Sequence, residues 1–224
     1  MRVAAAIPAY EASLTIGAVV IETRKQIPDI LVIDDGSLDG TAKQAREAGA
    51  EVQCLSRNHG KGTALGTAFK ALLARGFDGI VTVDADGQHR PDEIPKLLAV
   101  SSDADIVLGT RDHLFNEMTR IRQFSNSLSS RAISYAAGQA ISDTQTGFRY
   151  YSRNLITRLG LPTGRYEAES AMLVRAVRAG LLVRTTPIRL TVVNGLTTSH
   201  FRPIADSLRI ANAVIRARLG CGAL

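Results

Sequence analysis

The sequence predicts an α/β fold in which a mostly parallel central sheet is flanked by helices, and three observations carry that prediction. Short apolar, β-branched runs alternate with longer segments of helical period through the first half of the chain. Polar and acidic residues follow each run, and open parallel sheets bind ligands beyond the carboxyl ends of their strands. The length, 224 residues, suits one large domain and is short for two separate cores.

In chain order, Arg2 to Ile7 reads as a strand, Ala12 to Gln26 as a helix, Asp29 to Ile33 as a strand and Asp39 to Ala48 as a helix ended by Gly49. Glu51 to Leu55 is a strand, Thr63 to Ala74 a helix stopped by Gly76, and Gly79 to Val83 a strand. Asp92 to Val100 follows as a helix and Asp105 to Gly109 as a strand. That spacing is the mark of right-handed βαβ units. The second half is less regular: a helix over Thr119 to Gly138, a polar stretch SDTQTGFRYYS, a helix near Glu167 to Ala179, a strand-like LLVRTTPIRLTVV and a last helix from Pro203 to Leu219.

At 45% hydrophobic and 21% charged residues, the composition is globular and excludes disorder, collagen-like repeats and a coiled-coil rod. Cys54 and Cys221 have no Cys or His partner at zinc spacing and form no disulfide framework, so free thiols in a reducing compartment are expected. Of 27 basic residues most are Arg, and the formal charge is +6. The guanidinium fork suits phosphorylated ligands or an anionic surface, although genomic base composition is the better account of the bias as a whole. The chain lacks Trp and has no basic stretch with interleaved aromatics, which argues against nucleic acid as a partner. The apolar start ends at Pro8, and no window reaches the roughly 18 uninterrupted apolar residues of a membrane span. The expectation is a cytoplasmic protein without signal peptide or transmembrane helix, with at most peripheral contact on the cytoplasmic membrane face.

Asp84 and Asp86 close an apolar strand, and residues two apart on an extended chain point the same way, so both carboxylates can face one hard cation. Gln88 can add an amide oxygen. Two like charges without a cation would repel and force protonation. Asp86-Gly87 also reads as a turn and Asp92 as a helix cap, but placement at a strand end favours the metal. Asp34 and Asp35 end the second strand, where a carboxylate can accept from a base or from ribose hydroxyls. Gly60-Lys61-Gly62 lacks the full phosphate-loop spacing, yet places a Lys suitably for a diphosphate. No GxGxxG follows the first strand, which counts against a nicotinamide dehydrogenase.

Together IPAYEA, VIDDGSLDGT, NHGKGTA, DADGQHRPDEIP, GTR, DTQTGFRYYSR and YEAE resemble, in order and spacing, the inverting family-two glycosyltransferases of GT-A fold. The likeness is to the branch containing dolichol-phosphate mannosyltransferase and bacterial polyprenyl-phosphate glycosyltransferases, and it covers most of the chain. The resemblance implies a single catalytic domain over 1–224: a nucleotide-sugar-binding half at 1–110, an acceptor-side half at 111–202 and a C-terminal amphipathic helix at 203–224. It implies that Pro8, Tyr10, Glu11 and Asp35 hold the nucleoside and that Lys61 lies near its ribose or diphosphate. Asp84 would face the donor sugar or the metal, and Asp86 with Gln88 would coordinate Mg²⁺ or Mn²⁺. Arg111 and Arg122 would clamp the acceptor phosphate, joined by Asn126 one helical turn on. Asp143, Gln145 and Arg149 would line the sugar and acceptor pocket, with Asp86, Asp143, Arg111 and Arg122 as the catalytic set. Glu167 and Glu169 match the family's acidic pair, or equally a helix-start preference for acids. His200 near the acceptor phosphate is weaker than its reading as a surface or packing residue.

Many members of that branch continue into transmembrane helices, and here a basic amphipathic helix stands last. Its line Ile204, Leu208, Ala211, Ile215 and Leu219 either packs on the domain, the commoner use, or lies in a membrane interface. The expected reaction is metal-dependent, inverting transfer of a hexose from a nucleoside-diphosphate sugar, GDP-mannose or a UDP-hexose, to a polyprenyl phosphate. A same-fold enzyme with a soluble hydroxyl acceptor is the alternative.

Overall fold

In the computed structural model of the chain, the described residues are 1–111, 130–191 and 203–219. They open with β1 (Val3–Ala9), α1 (Ile16–Arg24), β2 (Ile30–Asp34), α2 (Thr41–Glu47), β3 (Glu51–Cys54), α3 (Lys61–Ala74) and β4 (Gly79–Thr82). A 3₁₀ turn (Pro91–Glu93) leads into α4 (Ile94–Ala99) and β5 (Ile106–Thr110). After helical residues 130–137, α5, come β6 (Arg149–Ser152), α6 (Arg153–Leu159), α7 (Glu167–Arg178), β7 (Val183–Pro187) and α8 (Pro203–Leu219).

One seven-stranded sheet of order β3-β2-β1-β4-β6-β5-β7 organises them, and only β6 runs against the rest. Every residue of Ile30–Asp34 is buried, as expected of a strand covered by helices on both faces. The alternation of β1 divides the core. Ala4 and Ala6 face Leu65, Phe69 and Leu72 of α3, together with α6, α7 and α8, while Ala5 and Ile7 face Ile16 and Val20 of α1 and Ile94 and Leu97 of α4. Each such Leu, Ile or Phe contributes about 1.5–3 kcal/mol of burial.

The predicted βαβ order holds through β5, with element ends shifted by a few residues. β6 and α6 are elements that the pattern did not predict. In β6, Arg149, Tyr150 and Tyr151 are buried on both faces, so no alternation marks the strand. Ser152 then caps α6 by accepting from Leu155 N at 3.0 Å. The last helix has the predicted bounds but a different buried line. Ile210, Val214 and Ala217 are buried on the side that meets α7, whereas Ala211 and Ile215 of the predicted line are exposed. Cys54 is an exposed free thiol; Cys221 lies outside the described residues. No described helix is long and apolar enough to cross a membrane.

Candidate active site

Six strands present their carboxyl ends on one edge of the sheet, and the polar groups gather there. The floor is the segment Asp84 to His89 after β4. Thr15 Oγ1 donates to the Ala85 carbonyl at 2.6 Å, and Thr191 N to the Gln88 carbonyl at 2.9 Å, so the segment is tied to the start of α1 and to the chain after β7.

Lys61, the first residue of α3, places its Nζ 2.6 Å from Asp84 Oδ1 and 2.7 Å from Glu169 Oε2 in the first turn of α7. Burial by itself would raise the Asp84 pKa, but the Lys61 charge outweighs it and holds the carboxyl at about 2. Burial likewise opposes the Lys61 charge, and the two carboxylates reverse that, leaving its pKa raised. Gly147 closes the far side of this cluster. A Cβ there would lie 2.3 and 2.5 Å from the Asp84 carboxylate oxygens and 2.6 Å from Lys61 Nζ, so the backbone must pass without a side chain. Gly62 plays the same part behind Lys61, where a Cβ would meet Ala168 Cβ at 2.5 Å.

Asp86 stands apart from Lys61. Burial, and then the Asp84 charge, push its carboxyl up to about 6, while Gln88 N donates to its Oδ1 at 3.0 Å. Burial is the larger part of that rise and the Asp84 charge the second; a divalent cation would offset both, and Asp86 with Gln88 beside the charge of Asp84 is a hard oxygen set suited to Mg²⁺ or Mn²⁺. Among the described residues no three His, Cys, Asp or Glu form a complete metal cage. His89 stacks on Phe148 at 5.4 Å, is buried, and has its Nδ1 3.5 Å from Asp84 Oδ2. Burial lowers its pKa to about 4, so the imidazole is neutral at pH 7.

At the β1 and β2 ends, loop meets loop. Glu11 takes a positive φ of 51°, its N–H donates to Ser37 Oγ at 2.9 Å and its Oε1 accepts from Leu38 N at 3.2 Å. Asp39 accepts from Ser13 N and Thr41 N, each at 3.0 Å. Asp35 is buried and accepts from His59 N at 2.8 Å and Gly60 N at 2.7 Å. Its carboxylate therefore also shapes the loop before α3, while each oxygen keeps a lone pair beyond the one its backbone donor uses. Pro8 and Tyr10 are half-buried on the same edge.

On the β5 side, Arg111 and Asp143 form a bidentate pair, Nε to Oδ2 at 2.6 Å and Nη2 to Oδ1 at 2.9 Å, with Arg111 N also donating to Oδ2 at 3.1 Å. Asp143 is 0% exposed, so it fixes the Arg111 fork from behind and does not itself face a ligand. Burial opposes the Arg111 charge, but the Asp143 hydrogen bond and the charges of Asp143, Asp84 and Asp86 raise its pKa, which places the fork in the same field as the floor carboxylates. Gln145 is half-buried, with Nε2 3.5 Å from Ser170 Oγ. Arg149 departs from its expected pocket role. It is 1% exposed and donates to the carbonyls of Thr144, Thr146 and Glu169, so it braces the turn before β6. Arg122, Asn126 and His200 lie outside the described residues.

Three participants were not assigned from sequence. His89 and Gly147 lie inside quoted motifs without a role, and Glu169 was left between two readings. Their signal was the motif itself: a His directly after Gln88 and a Gly directly before Phe148.

Comparison with known proteins follows the same lines. The family model for glycosyl transferase family 2 matches residues 5–160, and the chain belongs to that family. It is 31% identical to the undecaprenyl-phosphate mannosyltransferase of Micrococcus luteus, over 84% of this chain and 83% of that one. Identity to the polyprenol monophosphomannose synthase of Mycolicibacterium smegmatis is 30%, over 95% and 87%. The fold matches glucosyl-3-phosphoglycerate synthase of Mycobacterium tuberculosis, solved with Mn²⁺, UDP-glucose and phosphoglyceric acid, with TM-score 0.74 at 20% identity, covering 98% of this chain and 80% of that one. The chain is thus a glycosyltransferase of GT-A type, as its motifs predicted.

Proposed function

We propose that the enzyme moves a hexose from a nucleoside-diphosphate sugar to a polyprenyl phosphate, with inversion and with Mg²⁺ or Mn²⁺ held by Asp86 and Gln88 beside Asp84. Such a cation would neutralise the leaving nucleoside diphosphate. Asp84, kept ionised by Lys61, accepts from hydroxyls of the donor sugar. Pro8, Tyr10, Glu11 and Asp35 border the nucleoside. Arg111, its fork fixed by Asp143, holds the acceptor phosphate for in-line attack, and Arg122, Asn126 and Gln145 belong to the same acceptor side.

The observation that carries this reading is the use of Asp143. A hydroxyl acceptor needs a general base, whereas a phosphate monoester has its second pKa near about 6 and arrives ionised at neutral pH. Asp143 has both oxygens engaged by Arg111, and Oδ1 also accepts from Gln145 N at 3.4 Å, as suits an acceptor with no proton to lose. Relatives named for undecaprenyl phosphate and polyprenol support the lipid acceptor. The soluble-acceptor reading draws on the fold neighbour solved with phosphoglyceric acid. On the lipid reading α8 offers a peripheral membrane contact through exposed Ala211, Ile215 and Arg216.

The test is transfer of labelled sugar from GDP-mannose, UDP-glucose or UDP-GlcNAc, with Mn²⁺ or EDTA, to undecaprenyl phosphate or to 3-phosphoglycerate. Product on the lipid phosphate alone, lost in EDTA, is expected. Product on 3-phosphoglycerate alone would move the enzyme to the soluble-acceptor class.

A further inference from the structure

Glu93 is an acid with 0% exposure, four residues past His89, whose side chain reaches beyond its own helix to the chain that leaves β7. Arg189 Nε donates to its Oε1 at 2.6 Å, Arg189 N to its Oε2 at 3.3 Å, and Lys96 Nζ lies 2.5 Å from Oε2. Burial would raise the Glu93 pKa, but the Lys96 and Arg189 hydrogen bonds lower it, so the carboxylate is ionised. A buried charge costs several kcal/mol of desolvation, and an apolar side chain would pack α4 as well. What the charge adds is a fixed position for the chain leaving β7.

That chain is the other wall of the floor segment. Ile188 N donates to Thr110 O at 3.0 Å, extending the β5–β7 ladder, and Arg189 is then pinned by Glu93. Leu190 forms an antiparallel bridge with His89, and Thr191 N donates to Gln88 O at 2.9 Å. Residues 188–191 thus run from the sheet to the backbone of Gln88 and His89, with Glu93 gripping them midway by both backbone and guanidinium and Asp92 Oδ2 beside it, 3.7 Å from Arg189 Nη2.

We infer that Glu93 is a positioning residue for the metal-binding segment: through Arg189 it holds the 188–191 strand against Gln88 and His89, and so sets where Asp86 and Gln88 meet the cation. The inference rests on the proposed metal role of those two residues. Outer-shell partners of metal ligands typically change metal affinity about 10–100-fold when removed.

The test uses Glu93→Gln, which keeps shape and loses charge, with Arg189→Met and Lys96→Met beside it. Mn²⁺ affinity is read by electron paramagnetic resonance in the presence of GDP or UDP, and exchange of the Thr191 amide is read by NMR on metal-free protein. Glu93→Gln should weaken Mn²⁺ about tenfold and speed Thr191 exchange selectively. Arg189→Met should do the same more weakly, since its backbone N–H still reaches Glu93. Lys96→Met, which removes a Glu93 partner but no grip on 188–191, should change neither. A folded Glu93→Gln with parental Mn²⁺ affinity and Thr191 exchange overturns the inference, as does Lys96→Met matching Arg189→Met. Parental protein that binds no Mn²⁺ overturns the metal reading instead, while the exchange of Thr191 still decides whether the grip exists.

Discussion

Glu11, Ser37 and Asp39, in the loops after β1 and β2, hydrogen-bond across to backbone N–H groups of the opposite loop from exposed or half-exposed positions. Asp143, Arg149 and Glu169, in the second half, are buried and are held by charge and backbone partners from several elements: the Arg111 guanidinium, three carbonyls and the ammonium of Lys61, with Glu169 Oε1 left only a 3.7 Å ion pair to Arg149. The first arrangement lets the loop edges adjust at little cost. The second cannot adjust, because removing any one member strands a charge out of water. The β1–β2 edge is therefore a shaped rim, and the second-half cluster a preformed frame.

Asp143→Asn tests that contrast with the largest effect. It deprives a mostly buried Arg111 of its charge partner, a change that typically costs about 3–5 kcal/mol. At about 2–4 °C per kcal/mol for a chain of this size, Tm should fall by roughly 6–20 °C in calorimetry. Asp39→Asn removes an exposed carboxylate that burial would raise but its Thr41 and Ser13 hydrogen bonds hold at about 2. It should cost only about 0.5–1.5 kcal/mol, the worth of an ordinary hydrogen bond. Equal losses from the two would break the distinction between rim and frame.

The sequence made the rim legible and left much of the frame hidden, for a physical reason. Strands β1, β2 and β4 announce themselves by apolar runs, and the ends of β2 and β4 by turn chemistry at Asp34-Asp35-Gly36 and Asp86-Gly87. The β6 strand carries a buried Arg and two buried Tyr, which read as a polar loop until their partners are known. Arg149 drew an acceptor role because an Arg in a polar motif looks free; the carbonyls that occupy it come from Thr144, Thr146 and Glu169, and only the fold brings that last one near. Asp35 has a second part that the sequence did not show, since its backbone partners His59 and Gly60 lie across a strand crossover. The line on α8 was chosen by periodicity alone, which cannot say which of two apolar lines meets α7.

A pH experiment sharpens the same contrast inside the floor segment. The Asp86 carboxyl has a folded pKa of about 6 against 3.8 for the unperturbed group. The folded state then binds the extra proton between those values, so the stabilisation it gives is complete below about 3.8 and is lost as pH rises through about 6. Metal-free protein should gain Tm on going from pH 7 to pH 5 as far as this group is concerned, and Asp86→Asn should remove the gain. Metal ligands must be ionised, so Mn²⁺ affinity should move the other way and weaken as pH drops below about 6. Asp84, held at about 2 with burial outweighed by the Lys61 charge, contributes no such change in this window. A pH-independent Mn²⁺ affinity from pH 5 to 7 would remove Asp86 from the ligand set.

The smallest effect concerns a surface that belongs to neither region. Ile210, Val214 and Ala217 fix α8 to the domain, so substitution of Ile215, 57% exposed on another face, should leave Tm within about 0.5 kcal/mol of stability. If α8 lies on the membrane where a polyprenyl phosphate resides, that face inserts and exposed Arg216 meets anionic headgroups. Ile215→Glu then both forfeits about 1.5–3 kcal/mol of apolar burial and adds a like charge to the lipid surface. Retention on vesicles containing anionic lipid should fall about tenfold or more, and the parent's retention should weaken with salt. A folded Ile215→Glu held by vesicles as well as the parent would show that the outer face of α8 makes no membrane contact, leaving the lipid-acceptor reading to stand on the Arg111–Asp143 pair and the polyprenyl-phosphate relatives.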